Sequence, residues 1–190
     1  MLSLDHLADL APGRVRPLKR VEYERLVELG VFGEDDRIEL LGGVLVEMTP
    51  QYPPHASTVQ RLNRVLTRIA GERAELRPQL PFAASDESMP EPDFALVAPG
   101  RYDDAHPSAA FLIVEVADSS LRMDRRLKAE IYARAEVPEY WIVNLVDRLV
   151  EVHRQPRDGR YDQIFSVAVD GVIRPVALDG AEIRVADFLG

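Results

Sequence analysis

The sequence predicts a single domain of α/β or α+β class, a mixed β-sheet flanked by helices, and three observations carry that expectation. A strand–helix–strand succession runs through Ile113, Lys128 and Ile142, and a crossover of this kind ordinarily makes a parallel strand pair. Hairpin patterns flank it, one around Gly42-Gly43 and one around Val146-Asp147-Arg148, and hairpins are antiparallel. The 190 residues suffice for one sizeable core, so the whole of residues 1–190 is read as one domain.

Each element follows from local pattern. Residues 1–13, ending in Ala11-Pro12-Gly13, read as a loosely held leader. Residues 21–29 have helical spacing, with Gly30 as the stop. Two short apolar runs on either side of Gly42-Gly43 make the first hairpin. After Pro53-Pro54, residues 55–72 carry Val59, Leu62, Val65, Leu66 and Ile69, the i, i+3, i+4 stripe of an amphipathic helix. Residues 76–84 form a strand that Pro78 and Pro81 place at a sheet edge, because proline donates no ladder bond. Apolar strands follow at 93–97 and 110–116. Ser119-Ser120 offers a cap for a helix reaching about residue 135, with Leu127 and Ile131 inward and Pro138 beyond its end. Residues 140–145 and 149–154 make the second hairpin. Further antiparallel strands are expected at 161–167 and 171–176, before a closing turn through Phe188-Leu189.

Composition narrows the function classes. A formal net charge of −9 argues against a protein that coats nucleic acid nonspecifically, because such binding rests on neutralising phosphates. It weighs little against a hydrolase whose metal site is acidic by necessity. Cysteine is absent, which excludes disulfides, thiolate metal sites and cysteine nucleophiles and makes a cytoplasmic location the default. No apolar run approaches the roughly 18 residues of a membrane span, and Met1-Leu2-Ser3-Leu4-Asp5-His6 lacks a signal-peptide pattern, so no membrane partner is expected.

The chemistry concentrates in three residues. Glu115 stands in the middle of Phe111-Leu112-Ile113-Val114-Glu115-Val116. A carboxylate there costs several kcal/mol unless it is paired, protonated or bound to a cation. Asp93 stands at the mouth of the preceding apolar strand. Lys128 lies on the following helix and is one of only two lysines, the other being Lys19, in a chain that otherwise uses arginine. Two acids on adjacent strands plus one lysine are the minimal kit for hydrolysing a phosphodiester with a divalent metal. Hard oxygen donors suit Mg²⁺ or Mn²⁺. A compact ammonium can hold the attacking water or offset transition-state charge. On the helix, Asp124, Lys128 and Tyr132 recur at i, i+4, i+8 and share one side.

Each residue also has a plainer reading. Asp93 can cap a strand by an Asx turn. Glu115 can pair with an arginine from residues 122–126, and Lys128 can be a solvated partner of Asp124. Glu39 is either a third acid near the metal or the outward residue of a hairpin strand. His55, at a helix start, is either a satisfied structural histidine or a residue at the edge of the site. Tyr132 and Trp141 read as core, with polar tips that need a partner. His6, His106 and His153 have no companions at metal spacing.

Taken in order, Ile38-Glu39-Leu40-Leu41-Gly42-Gly43, His55, Pro92-Asp93, Val114-Glu115-Val116, Asp124 with Lys128 and Tyr132, and Glu139-Tyr140-Trp141-Ile142-Val143 form one pattern. It resembles the PD-(D/E)xK nuclease superfamily and, more closely, the Uma-two family of restriction-endonuclease-like proteins. The resemblance implies a restriction-endonuclease-like fold, Mg²⁺-dependent cleavage of DNA and a homodimer. Ala117 stands where the superfamily's Glu-x-Lys would place its lysine, and the resemblance suggests that Lys128 replaces it from the helix. On this reading Asp93 and Glu115 bind the metal and Lys128 is catalytic with them. Glu39 and His55 line the cleft, and Asp124 orients Lys128. The alternative is a non-catalytic binding or assembly module that keeps the fold, with the acids in a structural ion-pair cluster.

Overall fold

The structure is a computed structural model and describes residues 16–33, 36–48 and 50–190, so the expected leader at 1–13 lies outside the described residues. Helix α1 (Arg20–Glu28) ends before Gly30, whose φ of +66° is the left-handed stop that glycine permits. Its buried Tyr23 packs with Leu40 and Met89. Strands β1 (Ile38–Leu41) and β2 (Val44–Glu47) form a hairpin of their own. Gly42 and Gly43, both at positive φ, supply its two-residue turn. A bridge from Leu40 to Met89 ties this hairpin to the loop ahead of the main sheet.

Helix α2 (Pro53–Ala70) begins two residues before the expected start, because Pro53 is itself accepted in the first turn, where no N–H is required. The main sheet has six strands in the order β3 (Glu75–Pro78), β4 (Phe94–Val97), β5 (Leu112–Ala117), β6 (Glu139–Asn144), β7 (Leu149–Arg157) and β8 (Arg160–Ala168). Only β5 and β6 run parallel. The crossover that joins them is α3, made of Leu121–Met123, a π turn Asp124–Lys128 and Ala129–Arg134.

Alternation along the strands sends side chains to two cores. One face buries Phe94, Leu96, Val114, Trp141 and Val152 against Leu62 and Leu66 of α2. The C-terminal segment seals the same face with Ile183, Val185 and Phe188. The other face buries Ala95, Ile113, Tyr140 and Ile142 against Tyr132 and Ala133 of α3. Each fully buried large aliphatic or aromatic side chain contributes about 1.5–3 kcal/mol, so the two cores together fix which side of the sheet each polar residue reaches.

Three expectations are corrected. Leu127 is 38% exposed rather than inward, because the π turn adds a residue to its turn and rotates Leu127 off the sheet side, while Ile131 is buried as expected. The edge strand expected over residues 76–84 stops at Pro78, with Gln79 at φ +50°. Residues 171–176 do not add to the main sheet. Only β9 (Val172–Ile173) forms there, and it pairs with β10 (Ile183–Arg184), just before the short helix α4 (Ala186–Leu189). No helix among the described residues is long and apolar enough to cross a membrane.

Candidate active site

Strand register brings the two expected acids together. Phe94 pairs with Val114 in the antiparallel β4–β5 ladder, so the next rung sets Asp93 opposite Glu115. Asp93 Oδ2 accepts the Val116 backbone N–H at 2.8 Å, which fixes the carboxylate at the strand mouth. Its Oδ1 accepts from Gln79 Nε2 at 3.2 Å. His55 Nε2, from the first turn of α2, lies 3.4 Å from Asp93 Oδ2.

Lys128 crosses from α3 to the same place. Its Nζ donates to Glu115 Oε1 and to Glu39 Oε1, both at 2.9 Å. Glu39 comes from the separate β1–β2 hairpin and also accepts the Glu91 N–H at 2.7 Å. Tyr132 donates its hydroxyl to Glu115 Oε1 at 2.7 Å, which satisfies the polar tip of a core residue. Glu39, Glu115 and Lys128 are 2%, 5% and 5% exposed, so the plainer readings of Lys128 as solvated and Glu39 as outward do not hold. Nor does Glu115 pair with an arginine of α3, since Arg125 engages Glu151 instead.

Asp124 is also buried, but its partner is Ser120, whose hydroxyl donates to Asp124 Oδ2 at 2.6 Å. Among the described residues no hydrogen bond or ion pair joins Asp124 to Lys128. The expectation that it orients the lysine therefore has no direct contact behind it. Ser120 precedes the helix as expected, yet its side chain is spent on Asp124 rather than on capping the backbone.

The electrostatics follow from burying several acids around one ammonium. Burial pushes the Glu115 carboxyl up to about 8. Lys128 pulls it down, while Asp124, Asp93 and Glu39 push it further up. Asp124 is raised to about 6, again chiefly by burial. Glu91 is raised by burial and by Glu39. For Lys128 burial opposes the charge, but Glu115, Glu39 and Asp124 overturn that and hold the ammonium charged well above its ordinary range. His55 is likewise raised, because the Asp93 carboxylate outweighs the effect of burial.

These groups open on a pocket of about 70 Å³ lined by Glu39, His55, Asp93, Glu115, Asp124 and Lys128. Arg37 and Glu91 also line it and were not singled out from sequence. Glu91 had a readable signal, an acid two residues before Asp93, but it sits in a segment that reads as loop.

The donors fit a hard divalent cation in kind, being carboxylate oxygens in a pocket with more acid than its own cations neutralise. Among the described residues, no group of three or more acids and histidines is arranged to hold an ion unaided. A Mg²⁺ site commonly uses one or two carboxylates and completes its shell with water and substrate phosphate, which Asp93 and Glu115 can satisfy.

Comparison with known proteins agrees with this architecture. A crystal structure described as "a putative nuclease belonging to DUF820", from Anabaena variabilis, superposes with a TM-score of 0.71, covering 91% of this chain and 98% of that one. At 13% sequence identity that likeness is one of fold. No curated protein matches the chain significantly. The family model Uma2, described as "Putative restriction endonuclease", matches residues 20–186 and so spans Glu39, Asp93, Glu115 and Lys128 alike. By that match, the chain belongs to the Uma2 family.

Proposed function

We propose that the protein is a metal-dependent DNA endonuclease, with Asp93 and Glu115 as metal ligands and Lys128 as the catalytic cation. The observation that carries this reading is the Lys128 ammonium, buried between Glu39 and Glu115 and facing the pocket beside Asp93. The names borne by the family and by the structural neighbour point the same way.

A bound Mg²⁺ or Mn²⁺ would supply Lewis-acid polarisation of the scissile phosphate and a more acidic water. The residues of this chain supply the rest. Tyr132 and Lys128 both engage Oε1 of Glu115, so its Oε2 is the oxygen left for a cation. The Val116 N–H and Gln79 hold Asp93 in place. An ammonium has three N–H donors, and Lys128 spends two on carboxylates. The third is available to the attacking water or to a phosphate oxygen, where charge develops in the transition state. His55 adds a second cation-capable group beside Asp93.

A second reading is favoured by the completeness of the Glu39–Lys128–Glu115 pairing, which alone would make the cluster a structural staple in a non-catalytic binding module. Calorimetric titration of Mn²⁺ into the native chain and into Asp93→Ala separates the two. The nuclease reading expects saturable binding that the substitution removes. Equal or absent binding in both would leave the staple reading in its place.

A further inference from the structure

On the face of the sheet that α3 covers, the C-terminal part of the helix packs on β7 and β8. A groove of about 630 Å³ runs between the outer side of α3 and the β7–β8 hairpin. Its rim carries Arg125, Arg126, Arg134 and Arg160, a dense positive cluster in a chain of formal charge −9. Two of these are committed, Arg125 to Glu151 and Arg134 to Glu130. Arg126 and Arg160 form no ion pair among the described residues, and Asp158 is the one further acid on the rim. Gly159, at φ +75°, turns the hairpin, and a Cβ there would come within 3.1 Å of the Arg134 side chain, so this glycine gives Arg134 its place against the groove.

Exposed arginines alone would mean no more than a solvated surface. The floor says more. His153 of β7 lies in one row with Tyr140 and Ile164, which brings it to this face. It lines the groove and is only 3% exposed, yet neither ring nitrogen has a hydrogen-bond partner among the described residues. Buried polar atoms are nearly always paired, and an imidazole with neither its donor nor its acceptor nitrogen paired, beneath an arginine rim, is a group still open to a partner. Tyr140 and Tyr161 pack around its ring, with centroids 5.4 and 5.7 Å away, and fix it in place. Tyr161 itself is spoken for, since its hydroxyl donates to the Val137 carbonyl at 3.0 Å.

We infer that this groove binds a phosphate-bearing ligand of nucleotide size, with Arg126 and Arg160 on the phosphate, His153 beneath it, and the apolar surface of Leu127 and Ile164 under the remainder. Planar guanidinium groups match phosphate oxygens, and exposed Ile164 offers the apolar surface a sugar or base requires. The site is separate from the acid pocket: Lys128 faces that pocket, while Arg125 and Arg126 line the groove. The ligand is either a free nucleotide or one unit of a polynucleotide. In the second case the groove would add a phosphate contact away from the scissile bond and rests on the nuclease reading.

The test is calorimetry on the full chain in excess chelator, where nothing turns over, with inorganic phosphate, a mononucleotide and a short single-stranded oligonucleotide as probes. Binding of mononucleotide or oligonucleotide should weaken about tenfold or more in Arg126→Ala/Arg160→Ala, both surface residues that leave the core intact. His153→Phe, which keeps the ring and removes both nitrogens, should weaken it as well, and Glu115→Gln should not. Saturation by mononucleotide assigns the free nucleotide. Saturation by oligonucleotide alone assigns the polymer. No binding of either, equal binding in the arginine variant, or loss in Glu115→Gln but not in the arginine variant would overturn the inference. Failure of the nuclease reading would show instead in the Mn²⁺ titration and leave these results untouched.

Discussion

Neighbouring parallel strands each bury a glutamate, and the two are treated in opposite ways. Glu139, at the start of β6, is 0% exposed and faces the α2 side of the sheet. Its Oε1 accepts from Trp141 Nε1 at 2.9 Å and from Arg154 Nε and Nη2 at 2.9 and 2.7 Å, and its Oε2 accepts the Val176 N–H at 2.7 Å. Both oxygens are engaged, and an arginine fork carries the counter-charge. Glu115, in β5, has donors on one oxygen only among the described residues, shares its ammonium with Glu39, and borders a pocket holding further acids. The contrast separates two meanings of a buried carboxylate. One whose charge is met by an arginine fork, with an indole and a backbone N–H besides, is a strut that fastens the C-terminal segment to the sheet. One left half-coordinated among surplus acids is, on the proposed reading, the carboxylate with a coordination position to offer a cation.

The largest effect that could break this contrast is on activity. Glu115→Gln or Lys128→Ala should lower Mn²⁺-dependent nicking of plasmid DNA by about 10²–10³-fold, the usual loss when a preorganised charge-stabilising group is removed. Glu139→Gln should retain the rate wherever it folds. Undiminished cleavage by Glu115→Gln would remove the functional half of the comparison.

Stability should reverse the order. Glu139→Ala strands Arg154 and should cost about 3–5 kcal/mol in urea denaturation, as expected when one partner of a buried pair is deleted. Glu115→Gln relieves a crowded carboxylate and should lie within about 1 kcal/mol of the native chain or above it. Equal losses in the two variants would make Glu115 a second strut.

A third test uses pH. The folded-state values of Glu115, about 8, and Asp124, about 6, lie above the ordinary carboxylate range. Across that window the folded state therefore holds more protons than the unfolded one. The contribution of these groups to stability is fully present below about pH 4 and is lost as the pH rises through about 6 and then 8. Denaturation of the metal-free chain at pH 5 and pH 8.5 should show that decline, and Glu115→Gln should flatten it. A native chain whose stability rises over the interval would falsify the account. The smallest effect is expected from Tyr132→Phe, which deletes one hydrogen bond to Glu115 and should cost about 1 kcal/mol while weakening Mn²⁺ binding.

Much of this architecture was legible in the chain. Glu115 announced itself by sitting among apolar neighbours, and Lys128 by being a lysine where arginine is the habit. The strand–helix–strand order gave the one parallel pair, since that inference needs only succession and handedness. Glu139 gave no comparable signal, because Pro138 precedes it and a charge at a strand entrance ordinarily faces water. Its burial comes from Arg154 and Val176, partners distant in sequence. The Glu39–Lys128 bond joins a hairpin outside the main sheet to the crossover helix, and no local pattern specifies such docking. The orphaned His153 was likewise invisible. Spacing in the chain shows which residues are grouped, whereas the significance of His153 lies in having no partner among the described residues.

The π turn of α3 has one more consequence. An ideal helix advances about 100° per residue, so a turn carrying one residue too many acts as a phase shift between the helix before it and the helix after it. Asp124 and Lys128 stand at its two ends and both point inward, while Arg125 and Arg126 between them line the outer groove. The length of this turn thus keeps both sides of α3 in register at once. Removing Arg125, Arg126 or Leu127 from it would restore an unbroken α-helix and swing the preceding residues by about 100°, taking Asp124 off its inner row.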